Sequence, residues 1–180
     1  ILPLLTTLGR RVLHTGELGS ASVLKVMTNY LATANLLSIC EALVTMKAAG
    51  MDLATTYEAI RISSGTSFVH ETESQVILNG SRDINFTMDL VMKDIGLFQS
   101  VAERAGVPLE ISPMMIDIFR DGMARYGARA QSDDIIRRLE EATGLDITAP
   151  GFAADMVDDE PEEPGYEVYP PGRAPEAVAE

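Results

Sequence analysis

Cysteine is almost missing from this sequence: Cys40 is the only one in 180 residues. It has no internal disulfide partner, and its setting among Leu37, Ile39 and Leu43 marks a packed thiol rather than a nucleophile. A reducing compartment such as the cytoplasm fits that usage. Positive charge is also scarce, with 14 Lys and Arg against 27 Asp and Glu and a net charge of −13. Nucleic acid needs a basic footprint, so it is excluded as a direct ligand. No signal peptide opens the sequence. No apolar run of about 18 residues is free of polar interruption, so no membrane span is expected. The first residue is Ile1 rather than Met, and the true N-terminus is expected upstream.

The acidity is uneven. Residues 151–180 hold nine acids against Arg173 alone, a balance of −8, whereas residues 1–150 hold 18 acids and 13 bases, a balance of −5. From Asp155 onward the chain also carries five prolines and little apolar periodicity. That composition suits a disordered or surface-draped tail, anchored at most by Tyr166, Val168 and Tyr169. The remaining length is that of one domain, or one domain and a fragment, and 46% hydrophobic content is enough for a core.

Glycine and proline are absent from Ser20 to Ala49, a stretch rich in Ala, Leu and Met. One uninterrupted helix is expected there, roughly 45 Å long at about 1.5 Å per residue. It is apolar around most of its circumference and so needs cover on all sides, which points to self-association. Gly16 and Gly19 form a loop before it, and Ser20 can cap it. Lys25 and Asn29, four residues apart, project from one face of its first two turns. A lysine there either lies along apolar neighbours with its ammonium in water or serves as an acid/base group. Asn29 is correspondingly either a surface amide or a donor that orients a substrate.

The other elements follow from local punctuation. Residues 1–8 read as the end of a helix stopping at Gly9. Arg11–His14 is a short β-prone run with no second strand in the chain to pair it, the severed edge of a sheet whose remainder lies upstream. His14, with no histidine or cysteine near it in sequence, is assigned to loop anchoring. Further helices are expected from an Asp52 cap to Ile62, from Phe68 to Leu78, after Phe86 to Gly106, from a Ser112–Pro113 start to Tyr126, and from Ser132 to Gly144. Ser63–Ser67 reads as a loop. The fold class is therefore all-α, built on one long central helix with a leftover strand.

Three separated segments carry a family resemblance. They are Gly19-x5-Lys25-x3-Asn29, then Ser63-Ser64-Gly65, then Phe86 followed by Leu90-Val-Met-Lys93-Asp94-Ile95-Gly96-Leu97. Tyr126-Gly127 followed by Asp133 or Asp134 adds a fourth. Together these resemble the C-terminal, substrate-binding domain of the β-hydroxyacid dehydrogenases, the group containing 3-hydroxyisobutyrate dehydrogenase and tartronate semialdehyde reductase. Ala21, Thr28 and Phe98 depart from the family pattern, which more often has glycine, asparagine and alanine there.

The resemblance implies an organisation and a chemistry. Residues 1–15 would end a missing Rossmann domain, whose glycine fingerprint is absent here. Residues 16–147 would form the helical substrate-binding and oligomerisation domain, and 148–180 the acidic, proline-rich tail. The full-length protein would be an NAD- or NADP-dependent dehydrogenase, this chain alone being inactive. It would interconvert a small β-hydroxy acid and its semialdehyde or keto form. Lys25 would be the general acid/base, Asn29, Gly19 and Ser20 would contact substrate, and Lys93 would reach the cofactor; no metal is implied. A homodimer or homotetramer is the expected assembly. The rival is a non-catalytic oligomerisation or scaffold domain, which needs none of Lys25, Asn29 and Lys93. A 6-phosphogluconate dehydrogenase fits poorly, because its helical domain is much larger.

Overall fold

The computed structural model describes residues 1–155, 161 and 163–173. The described chain is all-α apart from two three-residue strands, and it divides into two compact units. The first joins residues 1–22 to the described part of 158–180, and the second spans Val23–Val157.

In the first unit, helix α1 (Leu2–Leu8) ends at Gly9 and leads into strand β1 (Arg11–Leu13). This strand is not the lone one expected. Strand β2 (Tyr166–Val168), from the tail, pairs with it in parallel, Val12 facing Glu167. The Tyr166 amide donates to the Arg10 carbonyl at 2.9 Å, and the Arg10 guanidinium donates to the Pro161 carbonyl at 3.2 Å. Gly165 permits the approach: a Cβ there would lie 2.2 Å from the Thr6 carbonyl oxygen and 2.3 Å from that of Gly9. The tail is thus ordered at Tyr166–Val168 rather than draped throughout. Residues 156–160, 162 and 174–180, also assigned to the tail, lie outside the described residues.

The second unit is built on α2 (Ser20–Ala48), whose 29 residues match the stretch lacking glycine and proline. Its buried side chains include Val26, Leu36, Ile39, Leu43 and Val44. By length and mean hydropathy, 1.2 over its most apolar window, α2 does qualify as a candidate membrane span, against the sequence expectation. Of these, Leu36, Ile39, Leu43 and Val44 belong to the hydrophobic core. Cys40 is buried among them, and burial, then the charges of Asp133 and Glu73, push its thiol well above its ordinary range. That makes it an inert, packed thiol.

Further helical segments complete the described part of this unit. Asp52 caps α3 (Leu53–Arg61) by accepting from the Thr55 amide at 2.7 Å, and Ser67 caps α4 (Phe68–Leu78) by accepting from that of His70 at 3.1 Å. His70 is fully buried and ties α4 to α3 through a 2.9 Å contact of Nε2 with the Tyr57 carbonyl. Helix α5 (Met88–Ala105) closes on Gly106, and α6 (Ile111–Tyr126) packs against it. Ser112 is not the cap of α6; it lies inside the helix, buried. Gly122 lets α6 settle, since a Cβ would fall 2.5 Å from Ile135 Cδ1. The final helix begins as a 3-10 turn (Ser132–Ile136) before α7 (Arg137–Thr143). A bridge between Thr87 and Gln131, with the Ser132 amide donating to the Phe86 carbonyl at 2.7 Å, clips this turn to the start of α5.

Candidate active site

Helices α2 and α5 meet at one buried carboxylate. Asp94, in the second turn of α5, has a side chain only 4% exposed. Its Oδ2 accepts from Lys25 Nζ at 2.6 Å and from Asn29 Nδ2 at 2.6 Å, and its Oδ1 faces Lys93 Nζ at 3.2 Å. Burial alone would raise the Asp94 pKa. The hydrogen bonds from Lys25, Lys93 and Asn29 outweigh it and hold the carboxyl below its ordinary value.

Local sequence explains why these groups coincide. The four-residue spacing of Lys25 and Asn29 stacks them on one face of α2, so both reach the same oxygen. One residue beyond Asn29, the Tyr30 ring stacks on Phe98 at 4.1 Å between centroids. Phe98 lies one turn after Asp94. The departure from alanine at position 98 thus supplies an aromatic pair beside the cluster, fixing α2 against α5 where the polar groups must align.

The sequence-derived residues divide into two groups. Lys25, Asn29 and Lys93 converge on Asp94, with Lys25 and Lys93 each about half exposed (53% and 56%). The Lys25 stem therefore neither simply lies along apolar neighbours nor buries its ammonium; the ammonium is ion-paired and still open to solvent. Gly19 and Ser20 belong to the first unit. There Gly19 has φ +96, and the Ser20 hydroxyl lies 2.6 Å from that of Thr15.

Sequence reading missed the central position of Asp94, which it quoted only within the family motif, and it missed a buried carboxyl pair. Asp133 is fully buried, and its Oδ1 accepts from the Ser132 hydroxyl at 3.3 Å. Burial, then the charge and hydrogen bond of Glu73, push its carboxyl well up. Burial raises Glu73 too, and the bond from Asp133 draws it partly back. Glu73 borders a cavity of about 240 Å³ that also touches Asn29. A larger cavity, about 610 Å³, lies between α2 and α3, lined by Glu41, Met46, Met51 and Ile60, and none of the residues around Asp94 borders it. Among the described residues no group of three or more His, Cys, Asp or Glu could hold a metal ion.

Comparison with known proteins shows which family the chain resembles. Residues 19–139 match the family model described as NAD-binding of NADP-dependent 3-hydroxyisobutyrate dehydrogenase. The 2-(hydroxymethyl)glutarate dehydrogenase of Eubacterium barkeri is 32% identical over 149 residues, 82% of this chain and 50% of the relative. The L-threonate dehydrogenase of Escherichia coli is 25% identical over 73% of this chain and 44% of its own. The chain thus spans about half the length of the curated relatives it matches. A solved Mycobacterium tuberculosis 3-hydroxyisobutyrate dehydrogenase with L-serine shares the fold at TM-score 0.64 and 22% identity, over 70% of this chain and 45% of its own. A Salmonella typhimurium 3-hydroxyisobutyrate dehydrogenase does so at 0.62 and 22%, over 67% and 42%. With the family model covering both helices that carry Lys25, Asn29, Lys93 and Asp94, the chain belongs to the 3-hydroxyisobutyrate dehydrogenase family.

Proposed function

We propose that this chain is the substrate-binding half of an NAD(P)-dependent dehydrogenase that interconverts a small β-hydroxy acid and its semialdehyde or keto form. The observation that carries the reading is the convergence of Lys25 and Asn29 on one oxygen of buried Asp94. A scaffold domain has no use for a half-exposed lysine held this way.

Each residue has a distinct task. In reduction the Lys25 ammonium gives a proton to the forming hydroxyl; in oxidation it first releases a proton to solvent, and its neutral amine then takes the hydroxyl proton. Asp94 is a positioning residue: with two donors on one oxygen, it fixes the Lys25 ammonium beside the Asn29 amide. Asn29 orients the substrate. Gly19 and Ser20 offer backbone and hydroxyl donors for the substrate carboxylate. When bound, the nicotinamide supplies or accepts the hydride at the carbinol carbon. Lys93 fits the cofactor's polar groups, since its ammonium is half exposed and only partly matched by Asp94 Oδ1. We further propose that this chain alone is inactive, because its candidate residues supply proton transfer and orientation while the hydride step belongs to the cofactor. We also infer a homodimer or homotetramer through the helical unit, because Val23, Leu24 and Leu31 of α2 remain exposed.

The test is an assay of the full-length protein with NAD and with NADP against a panel of β-hydroxy acids, followed by nicotinamide absorbance. Reduction of one cofactor with at least one acid, and none by this chain alone, is expected. No turnover with any acid and either cofactor would overturn the reading.

A further inference from the structure

The cavity beside Asn29 has a definite polarity. It runs along α2 away from Lys25, touching Asn29, Thr33 and Leu36, and is closed by Glu73 of α4, Phe86 before α5 and Ser132 of the 3-10 turn. Lys25, Asn29 and Thr33 follow one another at four-residue intervals on a single helical face. One turn, about 6 Å, separates Asn29 from Thr33, the reach of a short carbon chain.

The hydroxyl hydrogens at the cavity wall are already committed. Thr33 donates its hydroxyl to the Asn29 carbonyl at 3.0 Å, and Ser132 donates its own to Asp133 at 3.3 Å. Asn29 gives an amide hydrogen to Asp94. What Thr33, Ser132 and Glu73 can still offer a ligand is chiefly acceptor capacity: two hydroxyl oxygens and the oxygens of the Glu73 carboxyl. A group that brings its own hydrogens therefore finds partners in this cavity, whereas a carboxylate faces another carboxyl.

We propose that this cavity is the specificity pocket for the far end of the substrate, and that Glu73 selects a hydroxy acid whose far end carries a hydrogen-bond donor, hydroxyl or amino, over one ending in a methyl or a carboxylate. The inference rests on the reading that the substrate's reacting end lies at Lys25 and Asn29. Nothing in the family resemblance pointed to position 73.

The experiment uses the full-length enzyme and β-hydroxy acids of one chain length ending in methyl, hydroxyl, amino or carboxylate. The hydroxyl- or amino-ended acid should exceed the methyl-ended one in kcat/KM by about 10- to 100-fold, the worth of a hydrogen bond to a charged acceptor. The carboxylate-ended acid should be poorest. Preference for amino over hydroxyl identifies charge pairing with Glu73; the reverse identifies hydrogen bonding alone. Glu73→Gln should abolish most of the donor-ended advantage while leaving the methyl-ended acid within about twofold, which also shows that the variant folds. Equal rates for all four ends, or a best rate with the carboxylate, would overturn the pocket assignment and leave the dehydrogenase reading standing. Because the wild-type panel decides between these outcomes, an unfolded variant would not rescue the proposal. Inactivity toward all four acids would instead overturn the reading of Lys25 and Asn29, and the pocket with it.

Discussion

Two buried aspartates in this protein are treated oppositely by their surroundings. Asp94 receives three donors, which hold its carboxyl below its ordinary pKa, whereas Asp133 receives one hydroxyl and a carboxyl neighbour and is pushed well above it. The difference has a consequence for stability. Asp133 has a folded-state pKa raised above its unfolded value, so the folded protein binds this proton more tightly. Its contribution is most favourable below about pH 4 and is lost as pH rises toward the folded pKa. Asp133→Asn keeps an amide donor for Glu73 and an acceptor for Ser132, and removes the titration; Asp134 and Cys40, the other groups near this carboxyl, are unchanged. The melting temperature of the variant relative to wild type should therefore rise steadily from about pH 4 to neutrality. A difference that is flat with pH would show that Asp133 is ionised in the folded state.

At the scale of elements, the helices were legible where punctuation is local. The gap in glycine and proline marked α2, and Asp52 marked the start of α3 through a cap that the structure contains, whereas Ser67, read only as part of a loop, proves to be the cap of α4. The spacing of Lys25 and Asn29 was legible for the same reason. Asp94 was not, because its partners lie 65 and 69 residues away and only the packing of α5 on α2 brings them together. Strand β2 was hidden similarly: three residues of a proline-rich tail carry no periodicity of their own, and their pairing with Arg11–Leu13 is entirely long-range. The exposed apolar residues of α2 are an element-scale feature with its own test. If they form an interface between copies, sedimentation at micromolar concentration should give a dimer or larger, and Leu31→Glu should shift it toward monomer. Monomer alone in the wild type would remove that role from α2.

Across the whole molecule, the proposed function assigns to the second unit a proton-handling lysine, its orienting amide and carboxylate, and a pocket lined with acceptors, all on α2 and the elements packed around it. Such a division leaves hydride chemistry to a cofactor and proton chemistry to the helical half. The account therefore stands on Lys25 more than on any other side chain. Steady-state kinetics of Lys25→Ala in the full-length enzyme, with circular dichroism to confirm folding, is the most direct measurement. Loss of a general acid/base should lower kcat and kcat/KM together by about 10²- to 10⁴-fold. A folded variant retaining more than about half of the wild-type kcat would show that Lys25 is only a structural ion-pair partner of Asp94, and would contradict the account.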